Sequence, residues 1–265
     1  MTRAHPILAA LALSTVATTM SLVANAHVAL AGSQTDIVGP AGSGQFGRRT
    51  LVLSNGNFVV TDPEFDKGAV VDVGAVYLYN GATRQLISTL TGSTAGDRVG
   101  ERSINEVGDS NFVAVSTKWT NAIGAPIAEV GAVTWVSGTT GLNGVVTPAN
   151  SLVGTTAQDQ LGTSFAVLSN GNFAVGSPSF RSAGQANAGA VTWGSGSGPT
   201  VGTLSAANSL VGTTAGDSPT ATKALPTGAI TFDTAARPRT LSTCRPPFLC
   251  WKRPDFELIS STILP

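Results

Sequence analysis

The sequence predicts an all-β protein built of repeated four-stranded antiparallel blades, β-propeller-like but incomplete at three blades. Three observations carry that expectation. Short apolar runs bounded by glycine take the place of helical periodicity, several anchor residues recur with one period, and each period spells four strands. Of 265 residues, 31 are glycine and 11% are charged, against 42% hydrophobic. That balance suits short strands and tight turns around a sizeable core.

The anchors agree with one another. Phe58, Phe112 and Phe173 are 54 and 61 residues apart, and Gly74, Gly131 and Gly189 are 57 and 58 apart. Asp97, Asp159 and Asp217 are separated by 62 and 58. A recurring period of this size marks a repeat architecture. It divides the chain into repeats at 46–100, 101–162 and 163–217.

Taken in order, residues 1–26 read as a signal peptide. Arg3 and His5 precede an apolar stretch from Ile7 to Val23, and Ala24-Asn25-Ala26 forms a small-residue cleavage site. Ser14, Thr15, Thr18, Thr19 and Ser21 weaken that stretch as a permanent span. The expected location is outside the cytoplasm (periplasm, cell surface or medium), with no membrane span in the mature chain. Residues 27–45 are expected to form a lead-in strand.

In the first repeat Thr50-Leu51-Val52-Leu53 closes a strand, and Ser54-Asn55-Gly56-Asn57 turns it. Asn and Gly accept the positive φ of a tight hairpin. A second strand from Phe58 to Thr61 stops before Pro63, which has no amide to give a ladder. "GAVYLYN" and, after Asn80-Gly81, "RQLISTL" make the third and fourth. The later repeats spell these as "GAVTW" and, beyond a longer turn, "NSLVGTT". Trp135 and Trp193, alternating with Val133 and Val191, are expected in the blade core.

Such a unit cannot bury both faces alone, so repeats must pack on one another. Solenoid coils usually run about 20–45 residues, which favours propeller blades here. A propeller closes with roughly four to eight blades, so three would leave edge strands liable to pair with another chain.

The order Phe46-Gly47, apolar hairpin, Gly176-Ser177-Pro178, "GAVY" and "LTGSTAGDRVG" resembles the FG-GAP repeats of integrin-α-type propellers. It is more similar still to bacterial exported repeats of unknown function in haemagglutinin-like surface proteins, over Asp36 to Asp217. The integrin-like resemblance implies a calcium loop in the first hairpin. The corresponding turns, 54–57, 108–111 and 169–172, hold one carboxylate among them, Asp109. Calcium takes about six to eight oxygens, several from carboxylates, so no metal and no cofactor are expected.

Two periodic sets are candidates for ligand binding. Phe65, Trp119 and Phe180 fall between the second and third strands, where rings either stack on a sugar or protein partner or wedge between blades. Asp97, Asp159 and Asp217 in "TAGD", "TAQD" and "TAGD" either line that same face or hold amides of their own turns. Catalytic sets are missing. His27 is the only histidine left after cleavage, which excludes a Ser-His-Asp triad, and Asp62, Glu64 and Asp66 are not repeated as an acid pair. The chain is expected not to be an enzyme. With 15 basic and 15 acidic residues it lacks the basic surface a nucleic-acid partner needs.

After Asp217 the pattern changes. Residues 218–265 hold Cys244, Cys250 and 7 of the 14 prolines. Two readings stand open: a cap with a Cys244–Cys250 disulfide, which export permits, or the product of a shifted reading frame. The functional expectation is an exported, non-enzymatic interaction or adhesion module for a glycan or protein at a surface. Its alternatives are a truncated remnant of a larger repeat protein and a carbohydrate-active enzyme.

Overall fold

The structure is a computed structural model that describes residues 34–218 in full and the backbone alone at 220–224 and 230–233. The signal peptide, Cys244 and Cys250 lie outside the described residues. Met1–Asp36 and Ile37–Pro265 form separate compact units. Of the first, residues 34–36 are described; they are exposed and without regular structure, and the Gln34 amide donates to Asp36. The lead-in expected as a strand over 27–45 has none over 34–45, where it runs as irregular chain and turns.

The described part of the second unit is all-β, with no helix. The first repeat supplies β1 (Arg49–Val52), β2 (Phe58–Asp62), β3 (Ala75–Tyr79) and β4 (Leu86–Thr91) as an antiparallel meander. The second supplies β5 (Ser103–Val107), β6 (Asn111–Ser116), β7 (Ala132–Val136), β8 (Gly144–Val145) and β9 (Leu152–Val153). The third supplies β10 (Ser164–Val167), β11 (Phe173–Ser177), β12 (Ala190–Gly194), β13 (Gly202–Thr203) and β14 (Leu210–Val211). The four expected strands are present in each repeat.

Two sheets have a fifth strand. β8 does not join its own repeat but pairs parallel with β4 of the first, Leu90 opposite Gly144 and Thr91 opposite Val145. One repeat later β13 pairs parallel with β9 in the same register, Leu152 opposite Gly202 and Val153 opposite Thr203. The long turn between third and fourth strands is thus a hook that the second and third repeats each lay on the outer edge of the one before. Gly144 and Gly202 open the hooks at φ +113° and +93°, conformations that favour glycine.

The sheets stack face to face, and burial follows the two-residue period of a strand. On β6, Phe112 and Ala114 enter the apolar layer shared with the first repeat, while Val113 and Val115 enter the layer shared with the third. Central strands are therefore buried on both sides: every residue of β3 and β11 is buried. The outer layer of the first repeat joins Val60, Tyr77 and Tyr79 to Ile37, Phe46, Phe58 and Phe65. The outer layer of the third is small: Leu168, Ala174 and Val191, with Ala166.

Two expectations change here. Trp135 is half-buried and donates its indole N–H to Gly196 O of the third repeat at 3.0 Å, but Trp193 is 44% exposed. A tryptophan in "GAVTW" is covered by the following repeat, and its own sheet does not suffice. The repeat pattern also outlasts Asp217 by one hairpin. β15 (Thr220–Ala224) and β16 (Ile230–Asp233) pair antiparallel, with β15 against β10 and β11, where a fourth repeat would begin.

Candidate functional site

The recurrent Ser-Asn-Gly-Asn turn is a rivet between repeats. Asn57 Oδ1 accepts the Gly81 amide of its own repeat at 3.2 Å, and its Nδ2 donates to Gly138 O of the next at 2.8 Å. Asn111 does the same one repeat on: Oδ1 accepts from Gly138 N, and Nδ2 donates to Gly196 O at 3.1 Å. The glycines are required by contact distance. A β-carbon at Gly138 would lie 1.7 Å from Ser110 O. The asparagine side-chain oxygens of these turns accept backbone amides. Among the described residues no group of three or more His, Cys, Asp or Glu gathers as a metal site.

The repeated aspartates act at the same junctions. Asp97 Oδ2 accepts the Ser93 and Thr94 amides of its own turn at 2.9 and 2.8 Å, and Oδ1 accepts Thr120 N of the second repeat at 2.9 Å. Asp159 repeats this with Thr155, Thr156 and then Arg181 of the third repeat, at 2.8, 2.7 and 3.0 Å. Both carboxylates are buried. Burial pushes the Asp97 carboxyl above its ordinary range, and amide bonds from Thr94, Ser93 and Thr120 oppose that. Asp217 is half-buried and takes the Thr213 and Thr214 amides and the Thr214 hydroxyl.

Thr120 and Arg181, whose amides these aspartates clasp, directly follow Trp119 and Phe180. Those rings are 2% and 4% exposed and sit in the layers between repeats. Phe65, half-buried, meets Tyr77 edge-on at 6.3 Å in the outer layer of the first repeat. Of the two roles open to the aromatic set, Trp119 and Phe180 fill the wedge, with no ring face left for a sugar. The unrepeated acids are also committed. Asp62 Oδ1 accepts Gln45 N, Asp66 Oδ1 accepts Asp72 N, and Glu64 pairs with Arg98 at 2.9 Å.

Arginines at the start of the first strands remain, and sequence reasoning passed over them. By strand register Arg102 matches Arg48, their amides donating to Val115 O and Thr61 O, while Arg49 and Arg102 each reach onto the next repeat. Arg49 Nε donates to Glu101 O at 3.3 Å, and Arg102 Nη2 donates to Thr163 O at 2.6 Å. With Arg48 they line an open cleft of about 230 Å³, whose walls also include Thr117, Gln160 and Thr163. Its one carboxylate, Glu101, accepts the Thr117 hydroxyl at 2.7 Å. All three arginines are exposed. Three guanidiniums against one carboxylate make a positive hollow with planar donor forks, suited to a carboxylate, sulfate or phosphate. The available signal was the spacing of Arg48 and Arg102, 54 residues apart like Phe58 and Phe112.

Fold and site together define an open, all-β repeat protein whose sheets are clasped by side chains and traded strands. The family model for a repeat of unknown function, DUF5650, matches at residues 52–101, 106–163 and 167–221, more than half of the chain, and the chain belongs to that family. No curated protein matches it.

Proposed function

We propose that this chain is an exported, non-enzymatic interaction module that engages an anionic group on a surface glycan or protein through the Arg48–Arg49–Arg102 cleft. The carrying observation is that cleft: it gathers exposed cationic donors at the seam of three repeats, whereas the recurrent Asp and Asn side chains are spent on the stack. The signal-peptide pattern supports export, and the meander repeats suit propeller-type blades of the FG-GAP-like kind. A second reading, a piece of a larger haemagglutinin-like repeat protein, is favoured by Trp193, whose equivalent Trp135 is covered by the following repeat.

An array of neutral, carboxylated and sulfated saccharides, probed with the secreted chain, tests the reading. Anionic glycans are expected to bind, with affinity falling at least tenfold in Arg48→Ala/Arg102→Ala and falling again as salt is raised. Binding confined to neutral sugars, or unchanged in that double variant, would overturn it.

A further inference from the structure

Among the described residues, the β14 edge of the third repeat is the place where the molecule's own rule of assembly is left unapplied. Between third and fourth strands the second and third repeats have fifteen residues each, 137–151 and 195–209, and the first has six, 80–85. The long turns are the hooks. Each is braced internally by one asparagine: Asn150 Oδ1 accepts Thr147 N and its Nδ2 donates to Val145 O, both at 2.9 Å. Asn208 does the same with Ser205 N and Thr203 O, both at 2.9 Å. The braced hook then docks backward. Val146 N donates to Thr91 O at 3.0 Å and Leu204 N to Val153 O at 2.9 Å, and both side chains are 1% exposed.

The position equivalent to Thr91 and Val153 in the third repeat is Val211, on β14. Among the described residues no strand lies outside β14, which ends its sheet. Leu210 is half-buried, whereas its equivalents Leu90 and Leu152 are 1% exposed. Trp193 lies bare on the same sheet. The chain's own β15 packs against β10, β11 and β12, but no described strand adds to β14 and Trp193 stays exposed, whereas at each internal junction the hook of the next repeat completes both.

We propose that the β14 edge and Trp193 form an acceptor for the hook loop of another DUF5650-type repeat carried by a different chain. The incoming Gly-Xaa-Val/Leu segment adds a parallel strand outside β14, its apolar third residue fills the space beside Leu210, and the turn that leads into it covers Trp193. This is strand addition to a sheet edge, in which main-chain bonds give affinity and one buried side chain gives selectivity. A second copy of this chain fits poorly as donor. Its leading repeat has only the short 80–85 turn, and both of its hooks are engaged within its own stack. After Asp217 the sequence does not spell the hook pattern Ala-Ala-Asn-Ser-Leu-Val again.

The test uses the secreted full chain and a peptide of the whole hook turn, Ser-Gly-Ser-Gly-Pro-Thr-Val-Gly-Thr-Leu-Ser-Ala-Ala-Asn-Ser, residues 195–209. The indole NMR signal of Trp193, assigned by its loss in Trp193→Phe, is followed as peptide is added. A saturable shift with a dissociation constant below about 1 mM is expected. A nitroxide on the peptide should broaden the Leu210 and Val211 amides selectively. The peptide carrying Leu204→Asp should bind at least tenfold more weakly. Absence of a saturable shift, equal binding by the aspartate peptide, or broadening away from β14 would each overturn the proposal. A β14 edge already filled by the chain's own residues gives the first of these results.

Discussion

The two ends of the stack are made from the same repeat yet finished in opposite ways. At the first repeat, Tyr77, Tyr79, Phe58 and Phe65 form an aromatic layer that Ile37 and Phe46 cover, and the short turn at 80–85 projects no hook. At the third, the outer layer is small, Trp193 is 44% exposed and the last full repeat ends in a two-residue strand. Repeat proteins use atypical, self-covering terminal repeats to stay soluble; the first repeat shows that finish, and the third is met by the β15 hairpin while its β14 edge has no described partner strand. The array is polar: hooks point backward, so the first repeat receives without giving, and the third gives without receiving from any described strand.

The largest expected effects break an internal junction and leave the ends alone. Trp119→Ala empties a fully enclosed site between repeats and should lower unfolding free energy by about 4 kcal/mol. Trp193→Ala should cost under about 1 kcal/mol, because the ring is already half in water. Equal losses in urea melts would sink the view that junctions, not sheets, bury these rings. Trp119→Phe sharpens the point. The Trp119 indole N–H is buried without a partner among the described residues, and the matched positions 65 and 180 carry Phe. That change should stay within about 1 kcal/mol of the parent, since it removes an unsatisfied donor.

Next in size are the clasps. Asp97→Ala orphans three amides at a fully buried site and should cost about 3 kcal/mol, against about 1 kcal/mol for Asp217→Ala, whose half-buried surroundings let water replace the lost carboxylate. The same melts read both, and a larger loss at Asp217 would reverse the comparison. Leu204→Asp puts a charge into the 1%-exposed hook site and should cost about 3 kcal/mol. The matched change at Leu210, on the bare edge, should cost less than half of that.

The smallest effect is in pH. Burial raises the Asp97 carboxyl in the folded protein above its unfolded value. Proton uptake therefore favours the folded state, and this residue's contribution rises as pH falls through the raised value toward the ordinary carboxylate range. Asp97→Asn should flatten that part of the stability profile. A wild-type profile that falls throughout the same window relative to Asp97→Asn would contradict the assignment.

Much of the fold was legible in the residues. Asn-Gly turns, Pro63 and the "GAVTW" runs marked strands with little displacement, because their constraints are local: positive φ, a missing amide and β-branched side chains. The periodic Asp and aromatic sets were visible too, and the structural choice for each lay between a turn or wedge and a ligand face. Less legible was the arginine cleft. Arg48, Arg49 and Arg102 are separated along the chain and converge only because β1 and β5 stand side by side.

The sequence by itself determined the class, the period and the strand order, since each rests on contacts within one repeat. Tertiary structure alone decided which copies of a shared motif are buried and where the hooks go. Trp135 and Trp193 sit in the same five letters, and one is covered because a repeat follows it. β8 and β13 are two-residue strands inside turns, too short to declare themselves by pattern. They exist as strands because the edge of a neighbouring sheet supplies the hydrogen bonds their own repeat does not.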